Sequence, residues 1–223
     1  MGNFTDNLRG RFIVLDGPDG AGKTTQLQLL AERLEADGLT VRRLRDPGGT
    51  AVGEKVRRIL LSHESGEIVP TCETLLFMAS RAQLVAEHIR PAIEAGQVVL
   101  CDRFVSATVA YQGASGVQAD RIIKIWQVAG EGFWPDLTIV LDLPPEAGLR
   151  RVGQRNGASA REQAAEAGGD RMENRGRVYH RRVREIFHTL ADCYPAPVRY
   201  VRADRSVEAV AADVAAAVGE VLG

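Results

Sequence analysis

FIVLDGPDGAGKTTQLQLL, running from Phe12 to Leu30, joins a short apolar run to a glycine-rich turn and then to an amphipathic stretch. The run FIVLD is apolar without alternation, as expected of a strand covered on both faces of a parallel sheet. The adjoining turn, Gly17-Pro18-Asp19-Gly20-Ala21-Gly22-Lys23-Thr24-Thr25, matches GxxxxGK[ST] in the strand, loop, helix order that the phosphate loop (P-loop) requires. The residue types suit the chemistry. Glycines let backbone N–H groups approach phosphate oxygens, the helix N-terminus adds positive potential, Lys23 reaches β- and γ-oxygens, and Thr24 offers a hydroxyl to Mg2+. Gly17 to Thr25 are therefore the candidate ATP-binding residues, with Lys23 catalytic.

Working outward, further short apolar runs recur at VRRL (Val41 to Leu44), VVLCD (Val98 to Asp102), TIVLD (Thr138 to Asp142) and VRYV (Val198 to Val201). Between them lie helical patterns. Thr24 to Asp37 carries Leu27, Leu30 and Leu34 on one face and stops at Gly38; Thr71 to Gly96 is long, with Pro91 suiting a kink or a second start; Val207 to Val221 is amphipathic. Strands alternating with helices predict an α/β fold with a five-stranded parallel sheet flanked by helices on both faces. Ligands then gather at the C-terminal ends of the strands. With 223 residues and no repeat or linker, the expectation is a single domain over residues 1–223.

Lys+Arg 28 against Asp+Glu 29 leaves a net charge of −1, which offers no electrostatic footprint for nucleic acid or an anionic membrane. The charge is unevenly placed, however. Arg150 to Arg184 holds ten arginines against Glu162, Glu166, Asp170 and Glu173, a segment that wants an anion. The 3 cysteines, Cys72, Cys101 and Cys193, are widely spaced, so neither a disulfide framework nor a zinc cage is suggested and a reducing, cytoplasmic setting fits. No stretch approaches the length of a bilayer span.

A P-loop alone does not separate a kinase from a switch or a motor. A guanine switch would place NKxD after a later strand, whereas Asp142 is followed by Leu143-Pro144-Pro145. Both VVLCD and IVLD resemble the apolar run plus aspartate that orders Mg2+ or its waters; Asp102 is preferred because Arg103 follows it, beside the place of a second phosphate. Phe77 and Arg81, four apart, share a helical face distinct from a Leu75, Met78, Ala82, Val85 core stripe. An aromatic and a cation facing one cavity suit a pyrimidine, although on spacing alone Phe77 reads rather as core and Arg81 as a surface charge.

GPDGAGKTT at Gly17 to Thr25, RDPGGT at Arg45 to Thr50 and DRFVSATVAYQG at Asp102 to Gly113 together resemble the bacterial thymidylate kinases, over nearly the whole chain from Phe12 to about Val201. The resemblance implies transfer of the γ-phosphoryl of ATP to dTMP with Mg2+ as cofactor, in a homodimer. It places Asp19 near the acceptor sugar and the phosphates, Arg57 and Arg103 on the dTMP phosphate, and Asp46 against the acceptor or Mg2+. It stacks Phe77 on thymine, sets Arg81 on a thymine carbonyl, puts Thr108 and Gln112 at the base edge, and uses Tyr111 to crowd the place of a ribose 2′-hydroxyl. The Arg-rich segment becomes a lid, approximately 150–175, whose Arg151, Arg155, Arg161 or Arg171 supplies catalytic charge, with Arg155 the catalytic candidate. This chain departs from the family pattern with Asp46 for the commoner Glu, Phe104 for Tyr, and Ala107 for a Ser, with Ser106 one position early.

The chemistry expected is direct in-line transfer, which needs positioning and charge neutralisation more than a nucleophilic side chain. The alternatives are another deoxynucleoside or deoxynucleoside monophosphate kinase, and a regulator that holds ATP without transferring it. A nucleoside acceptor would have little use for the Arg57 and Arg103 clamp, and a sensor needs no acceptor pocket.

Overall fold

The computed structural model describes residues 7–159 and 175–223, the side chains of 154–159 excepted. Strands β1 (Phe12–Asp16), β2 (Val41–Arg45), β3 (Val98–Asp102), β4 (Leu137–Asp142) and β5 (Val198–Arg202) form an all-parallel sheet in the order β2-β3-β1-β4-β5. The three apolar runs ending in aspartate are its interior strands. Phe12, Val14, Val99, Cys101 and Val140 face one layer of core, while Ile13, Leu15, Leu100, Ile139 and Leu141 face the other. A strand covered by helices on both sides must be apolar at every position. β2 and β5 instead turn arginines outward at the sheet edges, where charge discourages pairing with another chain.

The described α-helices are α1 (Lys23–Ala36), α2 (Ala51–Leu61), α3 (Pro70–Leu84), α4 (Arg90–Glu94), α5 (Val105–Ala114), α6 (Ala119–Ala129), α7 (Pro145–Ser159), α8 (Arg177–His188) and α9 (Val207–Leu222). Leu27, Leu30 and Leu34 of α1 join Val210 and Val214 of α9 in one layer, and α3, α5, α6 and α8 fill the other around Met78, Val109, Trp126 and Phe187. Each such buried aliphatic or aromatic side chain contributes roughly 1.5–3 kcal/mol over leaving it exposed.

The expected stop at Gly38 has a visible mechanism. Gly38 N donates to Glu35 O and Leu39 N to Leu34 O, both 3.0 Å, a Schellman closure with Gly38 at φ 82. The long stretch from Thr71 is divided: α3 widens into a π turn over Val85–Ile89 before α4, which carries Pro91 in its first turn. Proline lacks the N–H that would continue the ladder, and the wider turn accommodates its ring. Leu75 is 52% exposed and does not join the core stripe expected of it, because α3 buries its Thr74, Met78, Arg81 face instead.

The chain leaves β1 for β2 and β3 on one side and for β4 and β5 on the other, so the crevice at the C-terminal ends of β1 and β3 lies at a topological switch point. Gly17 sets the loop there. Its φ is 132, and a Cβ would overlap the backbone of Leu141 on β4. Gly38 also has positive φ but opens on empty space. Gly38→Ala should therefore lower unfolding free energy by only about 1–2 kcal/mol, and Gly17→Ala by clearly more, since it adds a backbone clash to the same strain; urea midpoints of the two variants make the comparison.

Candidate active site

Gly22 caps α1 in the left-handed region at φ 90 with no side-chain cap, and the first-turn N–H groups of α1 have no intrahelical partners. Lys23 is buried and folds back on its own loop, donating to Pro18 O at 2.9 Å and Gly17 O at 3.1 Å. Burial, and after it the neighbouring Arg103, pushes its ammonium down from 10.5 to about 8. Thr24 donates its hydroxyl to Asp102 Oδ2 at 2.8 Å, which joins the two residues read as metal-ordering. Asp142, the other strand-end aspartate, is engaged elsewhere, accepting from Arg184 Nε at 2.7 Å and Nη2 at 2.8 Å.

Directly after β3, Arg103 adopts φ 71, a strained value for a residue with a Cβ. The turn aims its guanidinium back at the P-loop, where it donates to Gly17 O at 3.1 Å and to Asp19 Oδ1 at 2.5 Å. The Tyr111 hydroxyl donates to the other oxygen of Asp19 at 2.8 Å, and the Tyr111 ring lies 4.9 Å from the guanidinium carbon. Burial alone would raise the Asp19 carboxyl; Arg103, Lys23, the Tyr111 hydrogen bond and His180 together outweigh it and hold the group below its ordinary value.

A cavity of about 1340 Å³ opens at this point. Every acceptor-side candidate lines it: Asp19, Asp46, Arg57, Phe77, Arg81, Arg103, Thr108, Tyr111 and Gln112, together with Lys23, Thr24, Asp102 and Arg151. Gly17, Pro18 and Ala21 of the loop are not among the lining residues. Arg57 donates to Pro47 O at 3.0 Å, whereas its neighbour Arg58 is exposed. Arg151 reaches Gly20 O and Ala203 O, both at 3.3 Å. The side chain of Arg155, and Arg161 and Arg171, lie outside the described residues, as does most of the lid expected at 150–175.

Arg81 is not the surface charge that its spacing alone suggests. It is 1% exposed and sits in the core, its Nε donating to Asp46 Oδ2 at 2.6 Å and its Nη2 to Phe104 O at 3.0 Å and Thr108 Oγ1 at 3.2 Å. The Phe104 and Trp126 rings lie 5.2 and 5.7 Å from its guanidinium carbon. The shorter carboxylate at position 46 thus meets a cation already waiting in the core. Phe104, where the family pattern has Tyr, is fully buried between Phe12 and Trp126 and needs no polar partner. Ser106 turns inward to Asp16 Oδ2 at 2.6 Å, which leaves Ala107 at the cavity wall.

Three side chains of the site escape the sequence reading. Asp16, fully buried, accepts from Gly17 N at 2.8 Å and from Ser106, and burial raises its carboxyl despite Arg103 nearby. Its signal is the aspartate that ends β1, as in β3. Glu73 is buried beside Gln112 and falls on one face of α3 with Phe77 and Arg81 at spacing four, a periodicity that could have found it. Arg175 comes to Glu73 from a distant part of the chain, and no local pattern announces it.

A doubly covered parallel sheet whose first loop, cations and aromatic wall all meet in this crevice is a P-loop kinase built for a nucleotide-sized acceptor. The family model described as thymidylate kinase matches residues 15–214. Curated proteins named thymidylate kinase are similar along most of their lengths: one from Exiguobacterium sp. is 43% identical, covering 93% of this chain and 93% of its own. One from Pelotomaculum thermopropionicum is 44% identical over 96% and 95%, and one from Deinococcus radiodurans 43% over 95% and 98%. The chain belongs to the thymidylate kinase family.

The charges of the site give two expected outcomes. Because native Lys23 holds its proton less tightly than the unfolded chain does, its contribution makes the native state gain stability as pH climbs from about 8 toward 10.5. A phosphate against Nζ restores the proton, so ATP binding at pH 9 should take up about one proton, and far less at pH 7, read as buffer-dependent heats in calorimetry. Arg81→Ala should lower stability by about 3–5 kcal/mol, since it leaves the Asp46 carboxyl, which burial already raises, in the core without its cation; urea denaturation measures it.

Proposed function

We propose that the chain phosphorylates dTMP to dTDP with ATP by direct in-line transfer, with no covalent enzyme intermediate. The observation that carries this reading is that the acceptor-side residues and the P-loop side chains Lys23 and Thr24 line the same cavity. An oxygen of the dTMP phosphate attacks the γ-phosphorus as the bond to ADP breaks. Catalysis then consists of holding the two phosphates in line and neutralising charge as it spreads over the transferring group. Lys23 and the N–H groups at the start of α1 hold the donor phosphates. Arg57 and Arg103 hold the acceptor phosphate through guanidinium forks, which fit phosphate oxygens in pairs. Asp19, kept anionic by Arg103 and Lys23, anchors that fork beside the sugar, and Tyr111 closes the space beneath it. Phe77 offers its ring to the base, while Arg81, Thr108 and Gln112 form the polar wall at the base edge. Arg151, at the rim, and the lid arginines Arg155, Arg161 and Arg171 bring further positive charge.

Mg2+ fits the donor side. Thr24 Oγ1 and Asp102 Oδ2, hard oxygen ligands 2.8 Å apart, are suited to a cation that keeps most of its waters, and no cage of three or more acidic, His or Cys side chains exists among the described residues. The ion would neutralise β- and γ-phosphate charge. We further propose a homodimer, supported by the exposed apolar residues Val52 and Ile59 on α2 and Leu75 on α3, and a cytoplasmic setting. The setting is supported by free Cys72, Cys101 and Cys193, and by the lack, among the described residues, of any helix long and apolar enough to cross a membrane.

The test is ADP release from ATP and Mg2+ with dTMP, dUMP, dCMP, dGMP, AMP or thymidine offered separately. The expected result is release that depends on acceptor and is fastest with dTMP, with thymidine unused because it has no phosphate for the arginine clamp. Turnover of thymidine in preference to dTMP would select the nucleoside kinase reading, and release indifferent to acceptor would remove the thymidylate one.

A further inference from the structure

Glu73 on α3 is fully buried, and its two carboxylate oxygens are taken by different elements. Oε2 accepts from Gln112 Nε2 of α5 at 3.1 Å, and Oε1 accepts from Arg175 Nη2 at 2.8 Å. Arg175 is itself held: it donates to Ser115 Oγ at 2.6 Å and lies 4.7 Å from the centre of the Tyr179 ring, whose hydroxyl donates to Tyr111 O at 2.9 Å. An ionised carboxylate can only accept, so it admits one orientation of the Gln112 amide, with its NH2 toward Glu73 and its carbonyl turned away. That carbonyl, Gln112 Oε1, is buried without a partner among the described residues, on a side chain that lines the cavity. A buried acceptor left unpaired is unfavourable, and a ligand that brings an N–H to it completes the site.

We infer that Glu73 and Arg175 are positioning residues that lock Gln112 as a hydrogen-bond acceptor and so select a pyrimidine whose ring nitrogen carries hydrogen, as thymine N3 does, over one whose ring nitrogen is bare, as in cytosine. The inference rests on the proposed dTMP acceptor. Arg175 pairs with the Glu73 carboxylate, Glu73 forbids the reversed amide, and the amide then meets cytosine N3 with oxygen against a lone pair. Sites that discriminate through a buried hydrogen-bonding group do so strongly, because the wrong ligand leaves that group unpaired. Glu73→Gln keeps the shape but lifts the restriction: its carbonyl still accepts from Arg175, while its NH2 donates to Gln112 Oε1 and lets the Gln112 NH2 face the cavity.

Steady-state kinetics with dTMP, dUMP and dCMP test this. In E73Q the ratio of kcat/KM for dTMP to that for dCMP should fall by about tenfold or more, dUMP should follow dTMP, and KM for ATP should hold, which also shows that the fold is intact. Arg175→Met, which removes the cation away from the deepest core, should move the ratio in the same direction by a smaller factor. An unchanged ratio in both variants would overturn the positioning role. Gln112→Leu isolates the reading beneath it: if that variant handles dTMP and dCMP as the unaltered chain does, Gln112 does not read the ring and the inference falls while dTMP kinase activity stands. A chain that ignores dTMP altogether would already have failed the acceptor panel.

Discussion

Arg103 joins the two loops on which the crevice is built. β1 and β3 are neighbours in the sheet, but the loops that leave them run in different directions, one into α1 and the other into α5. Arg103 N donates to Leu15 O at 3.0 Å, and its side chain spans to Gly17 O, Asp19 and Tyr111, so backbone and guanidinium together clamp the P-loop against the start of α5. The positive φ at Arg103 is what turns the side chain that way. Such strain, of order 1–3 kcal/mol, persists only where surrounding contacts over-determine it. Here they include a carboxylate on the other loop, a tyrosine hydroxyl and a ring face.

The cavity wall obeys a related rule: charges enter the core in pairs. Asp46 from the end of β2 meets Arg81 from α3, and Glu73, on the same helix, meets Gln112 and Arg175. Both pairs lie on the same side of α3, which therefore buries a polar face and turns Leu75 to the surface. In a medium of low polarity each unpaired atom is conspicuous. Asp46 Oδ1 and Gln112 Oε1 are two that have no partner among the described residues, and both side chains line the cavity. The wall holds its charges in pairs, and two buried oxygens on side chains that line the cavity are left over.

Much of this was readable in the sequence. The interior strands were legible because burial on both faces demands an unbroken apolar run, the P-loop because its spacing leaves few alternatives, and the end of α1 because only glycine adopts the closing φ without strain. Thr24 and Asp102 were assigned to one task from separate motifs and are hydrogen-bonded to each other. The course of Thr71 to Gly96 was half legible: Pro91 announced an interruption, but the π turn before it depends on how α3 and α4 pack on the sheet. The burial of Arg81 was not legible, since an arginine four residues from a phenylalanine has the same periodicity on a surface as in a core.

By itself the sequence determined what is local: the strands of the parallel sheet, the glycine-rich loop after β1, and the residue types gathered near the strand ends. Local patterns are set by backbone sterics and by the period of apolar residues, and both operate within a few positions along the chain. Tertiary structure decided which charge meets which. Asp19 with Arg103 is separated by 84 positions, Asp46 with Arg81 by 35 and Glu73 with Arg175 by 102, and burial made each of these partnerships necessary. An isolated charge in the core is far less stable than one with a partner, so the fold that buries these side chains also dictates how their charges are paired.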